Sequence, residues 1–123
     1  MRIAMKKIIA ATFVLAASFP TVVAAVTGNE FLTRCGSDDQ FTIGWCAGHV
    51  SGVQEGLFIG ASVAGAKSSD EADRITGYCA PESSNLEQAR DISVSYIKNH
   101  PETRHLMSGM LIMLALREAW PCE

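Results

Sequence analysis

No stretch of this sequence alternates apolar and polar residues for long enough to build a sheet, so strands are not expected and helices remain. It has no tandem repeat and no low-complexity tail. Recognisable catalytic groupings are missing as well. His100 and His105 stand five apart instead of four, without the carboxylate of a His-Glu-x-x-His zinc helix. Ser95-Tyr96-Ile97-Lys98 matches the Ser-x-x-Lys pattern of penicillin-binding enzymes, but the companion motifs are absent and 123 residues are too few for that fold. Gly60-Ala61-Ser62-Val63-Ala64 has the outline of a nucleophile elbow with no strand leading into it. Neither an enzyme nor a metal centre is expected, and no cofactor is implied.

What the sequence does contain begins with an export signal. Arg2, Lys6 and Lys7 form a positive start, Ile8 to Ser18 is an uncharged apolar run, and Val23-Ala24-Ala25 offers small residues to signal peptidase. Residues 1–25 therefore read as a signal peptide cleaved near Ala25, and the apolar run is too short to span a bilayer. No cysteine stands at the cleavage point, which argues against a lipoprotein. The expected location is the periplasm, and residues 26–123 form a single domain. All four cysteines, Cys35, Cys46, Cys79 and Cys122, follow the signal, so an oxidising compartment would join them in two disulfides.

Three of the ten basic residues leave with the signal while all thirteen acidic ones stay, taking the net charge from −3 to −6. Such a balance opposes binding to nucleic acid or to an anionic membrane surface, and favours a cationic patch on another protein.

The punctuation predicts a four-helix bundle, all-α, with one long polar connection. Thr27 and Glu30 make a capping box for a short first helix ending near Cys35. A second helix is predicted from about Phe41 to Val63. Within it Gly44, Gly48, Gly52, Gly56 and Gly60 recur at every fourth position and share one stripe. Each glycine in a helix costs about 0.8 to 1 kcal/mol relative to alanine, so a neighbouring helix, in the chain or across a dimer, is expected to lie against the stripe. Ala66 to Gly77 reads as an exposed acidic loop with at most one helical turn, and Asp70, Glu71, Asp73 and Arg74 are its candidate partner-binding residues. Ser84 and Glu87 suggest a second capping box, opening a third helix that turns Leu86, Ala89, Ile92, Tyr96 and Ile97 inward. Pro101 suits the first position of a fourth helix, apolar on nearly all sides from Leu106 to Leu116, in which Met107, Met110 and Met113 would fill the core. His49 is expected to be packed or hydrogen-bonded, and Trp45 and Trp120 to anchor packing.

If helices three and four form an antiparallel hairpin, Cys79 ahead of one meets Cys122 behind the other. Cys35 at the end of the first helix likewise lies near Cys46 in the second. The favoured pairs are thus Cys35 with Cys46 and Cys79 with Cys122.

The series Gly28-Asn29-Glu30-Phe31-Leu32 before Cys35, then Trp45-Cys46-Ala47-Gly48-His49-Val50-Ser51-Gly52-Val53, Cys79-Ala80-Pro81, Tyr96-Ile97-Lys98-Asn99-His100-Pro101-Glu102 and Ala115-Leu116-Arg117-Glu118-Ala119-Trp120-Pro121-Cys122 resembles the Rap/Tai family of type VI secretion immunity proteins. The likeness spans essentially the whole mature chain. It departs from the family pattern at His49, where an aromatic is common, and at Ala80, where leucine is common. The resemblance implies a small helical periplasmic protein, often dimeric, that binds and blocks a cell-wall amidase effector. The matching boxes are cysteines, glycines and helix ends, so they carry over a scaffold and no binding residues. The alternative class is a periplasmic acid-stress chaperone that exposes apolar helices when its carboxylates and histidines protonate.

Overall fold

The structure is a computed structural model that describes residues 24–123, so the expected signal, apart from Ala24 and Ala25, lies outside the described residues. Among the described residues the helices are α1 (Gly28–Cys35), α2 (Gln40–Val63), α3 (Ser69–Thr76), α4 (Leu86–Asn99) and α5 (Ser108–Ala119), with a 3-10 turn at Pro101–Thr103. The all-α fold expected from the sequence is present, with one helix more than expected.

Local chemistry sets most of the boundaries. The Thr27–Glu30 capping box starts α1, its two side chains each accepting from the other's backbone N–H. The Asp39 carboxylate caps α2 by accepting from Thr42 N at 2.9 Å. The box that opens α4 falls one residue later than Ser84 and Glu87 suggested, on Asn85 and Gln88. Asparagine caps as well as serine does, and Ser84 N is already engaged in a turn with Pro81 O at 2.9 Å. The extra helix is the stretch expected as a loop. Ser68 accepts from Glu71 N, the Glu71 carboxylate accepts from Lys67 N at 2.7 Å, and Gly77 closes the helix at φ +82°. Caps at both ends, acids in the first turn and Arg74 in the last hold eight residues helical although their sequence is polar.

The last helix begins later than the proline predicts. A turn over residues 104–106 and the single residue Met107 lie beside the chain that enters α1: Gly28 N and Asn29 N donate to Leu106 O and Arg104 O at 3.0 Å, and Ser108 N donates to Val26 O at 2.7 Å. Thr27 and Met107 form an antiparallel bridge. Pro101 therefore opens only the short 3-10 turn. The Arg104 side chain folds back to donate to Ile97 O and Lys98 O, satisfying carbonyls that the end of α4 leaves open. Met107 and Met110 consequently lie exposed and do not fill the core. Leu86, at the first position of α4, is also exposed.

The core joins Phe31 of α1, Cys46 and Val50 of α2, Ala89 and Ile97 of α4, and Leu111, Ile112 and Leu116 of α5. Full burial of each large aliphatic or aromatic side chain contributes about 1.5 to 3 kcal/mol. Two disulfides, Cys35–Cys46 and Cys79–Cys122, staple the ends of this core. Their closed loops of 11 and 43 residues correspond to about 3 and 4 kcal/mol of unfolded-state entropy. Beside the second, Cys79 N donates to Trp120 O at 2.8 Å and Tyr78 bridges Pro121.

Gly77 sits where these pieces meet. A β-carbon there would lie 2.6 Å from Arg117 Nε, and its φ of +82° disfavours any side chain. Gly77→Ala is expected to destabilise the fold by about 1 to 2 kcal/mol, read as a lower midpoint in urea unfolding.

Candidate partner-binding surface

The acidic residues picked out in the sequence lie on α3, which packs against α2. Ala72 is its buried anchor, while Asp70, Glu71 and Arg74 are exposed and Asp73 is half-buried. They do not form a uniform patch. Glu71 is occupied by Lys67 N, and Asp73 O accepts from Gly77 N at 2.8 Å. The sulfur of Cys122 rests 3.5 Å from the same oxygen, a packing contact because a disulfide sulfur has no proton to donate. Those contacts engage the main-chain carbonyl of Asp73, and of the three acids Asp70 is the one that is both exposed and, among the described residues, without a hydrogen bond to its carboxylate. No salt bridge among the described residues involves any of them.

The glycine stripe does not meet another helix of the chain. Gly44, Gly48, Gly52, Gly56 and Gly60 are exposed, and a β-carbon at any of them would find no atom within 4 Å. The physical reason is that α2 buries its opposite side, through Cys46, Val50 and Ala61. At 100° per residue, Phe41, Ile59 and Val63 share the outward side with the glycines, and these side chains are 82%, 60% and 85% exposed. Sequence reasoning had not singled out these three residues. The available signal was that they fall in step with the stripe.

His49 lies where α1, α2 and α5 meet. Its ring stacks on Trp45 with centroids 4.9 Å apart and an interplanar angle of 12°, and Phe31 sits tilted at 5.8 Å. Arg34 covers Trp45, with Cζ 4.4 Å from the ring centroid. His49 Nε2 is 2.8 Å from the hydroxyl of Ser108, itself buried at the first turn of α5. Burial, and secondarily the Arg34 charge, hold the His49 pKa below its ordinary value. Elsewhere Glu30 and Asp39 are held below the usual carboxylate range, chiefly by the backbone N–H groups of Thr27 and Thr42 that they accept. Among the described residues, no three His, Cys, Asp or Glu side chains gather as metal donors, and no helix is long and apolar enough to cross a membrane.

The His49 shift has a definite sign. An unfolded chain takes up this proton near pH 6.5, whereas the folded ring does so only at lower pH. Its contribution to stability is therefore complete above about pH 6.5 and declines as pH falls below that value, before most carboxylates protonate. In His49→Gln, which keeps a partner for Ser108, the loss of urea stability between about pH 7 and about pH 5 is expected to be smaller than in the parent chain.

Neither a curated protein nor a solved structure matches this chain. The family model of the Rap1a immunity proteins does match, over residues 27–122, a span that holds both disulfides and every helix described above. The chain belongs to the Rap1a immunity protein family.

Proposed function

We propose that the mature chain, released from its signal near Ala25, works in the periplasm as the antidote to a peptidoglycan amidase delivered by a type VI secretion system. The family match over residues 27–122 carries this reading. The two disulfides suit an oxidising compartment. Inhibition is by occupation of the effector's surface, with no chemistry of the chain's own. The Asp70 end of α3 steers a cationic effector, while Glu71, Asp73 and Arg74 shape the helix that presents it.

The working unit in this proposal is a homodimer formed through the outward side of α2. Five glycines with nothing near them cost about 4 to 5 kcal/mol within the single chain. Phe41, Ile59 and Val63 expose large apolar surface on the same side. A second copy brought against bare backbone would cover both.

Co-expression in the periplasm with a type VI amidase effector is expected to restore growth and to yield a stable complex. Unchanged killing by every such effector tested would remove the amidase reading. In a productive pair, Asp70→Lys should slow association several-fold at low salt and much less at high salt. For the dimer, Gly52→Leu should leave the fold intact, because that site opens on empty space within the chain, yet shift the mass by light scattering from dimer to monomer. A parent chain that is monomeric at high concentration would exclude the dimer and leave the antidote role standing.

A further inference from the structure

A second recognition feature lies away from both α2 and α3, where the last turns of α5 cross α4. It is a half-open groove of about 400 Å³, with Asp91, Ser95, Tyr96, Asn99 and His100 on one wall and Glu118 on the other. Tyr96 and His100 stack on each other, centroids 4.1 Å apart. His100 Nδ1 is 2.8 Å from Tyr96 O, and a carbonyl can only accept, so this nitrogen carries the proton. In the neutral ring Nε2 is then left as an acceptor. Asp91 is bound by Arg90 through Oδ1 alone, by bonds of 3.1 and 2.8 Å, which leaves Oδ2 available. Glu118 has no salt-bridge partner among the described residues. It also stands in the last turn of α5, where the helix dipole disfavours an anion and favours a cation. Acceptors, two carboxylates and an aromatic pair thus converge on one concavity of an acidic chain.

We propose that this groove seats a cationic side chain of the partner protein, an arginine whose planar guanidinium lies against the Tyr96 and His100 rings and reaches the carboxylates of Asp91 and Glu118. Arginine fits better than lysine because its flat, weakly hydrated head stacks on aromatic rings and donates to two carboxylates at once. The identity of the partner as an effector rests on the antidote reading above; the chemistry of the groove does not.

The two are separated by a titration that needs no effector. N-acetyl-argininamide added to the isotope-labelled chain is expected to shift the Tyr96, His100 and Glu118 resonances saturably, and the neutral citrulline analogue to leave them in place. The Asp91→Asn, Glu118→Gln double variant, altered only at exposed positions, should bind argininamide at least about tenfold more weakly. Absence of shifts, or equal shifts with citrulline, overturns the proposal. With a cognate effector in hand, a complex of unchanged affinity in the double variant would also overturn it while sparing the antidote role. Binding of argininamide without any effector complex would instead uphold the groove and sink that role.

Discussion

The short antiparallel pairing of residues 26–29 with 104–108 is the contact on which the rest of the molecule depends. It brings the chain's entry and the start of α5 together through main-chain hydrogen bonds, with Ser108 N to Val26 O at 2.7 Å. This pairing seats Phe31 among Leu111 and its neighbours and places Ser108 against His49 of α2. Gly28 is required at its centre, since a β-carbon there would fall 2.7 Å from Leu111 Cδ1 and 3.0 Å from Arg104 O. Without it α1 and α5 would share only apolar surface, which sets no register. The disulfides act further out, tying α1 to α2 and the lead-in of α4 to the tail of α5.

With the core facing one way, recognition falls to what faces the other. A rigid, crosslinked helical frame leaves three surfaces of different chemistry: the glycine and apolar side of α2, the acidic α3, and the acceptor-lined groove between α4 and α5. Burying glycine backbone against a second copy suits a permanent contact. Charged rims suit partners that must be found quickly in solution. That division fits the proposed dimer, assembled before a toxin arrives.

How far the sequence could be read depended on whether the governing interaction was local. Thr27 with Glu30 is a four-residue pattern whose hydrogen bonds close within the pattern itself. α3 is hard to read because the polarity of Asp70, Glu71 and Asp73 points to a loop, yet caps at both ends suffice for two turns when one alanine is anchored. The start of α5 is hidden for the opposite reason. Pro101 is a strong local signal, overruled by bonds to residues some eighty positions earlier that no window contains. The glycine stripe is plain in the sequence, but spacing states only that five glycines share a side. Which way that side turns is decided by the larger apolar residues opposite, Val50 and its neighbours.

By itself, then, the sequence determined an all-helical chain, an even set of cysteines and the sign of its charge, and it favoured the pairing that the packed helices realise, because periodicity, element order and composition are properties of the chain before it folds. Tertiary structure alone decided that the glycines face outward, that His49 meets Ser108, and that Asp91 and Glu118 share a groove with the Tyr96–His100 pair. Each of these joins residues distant along the chain, and their distances follow from how whole helices pack.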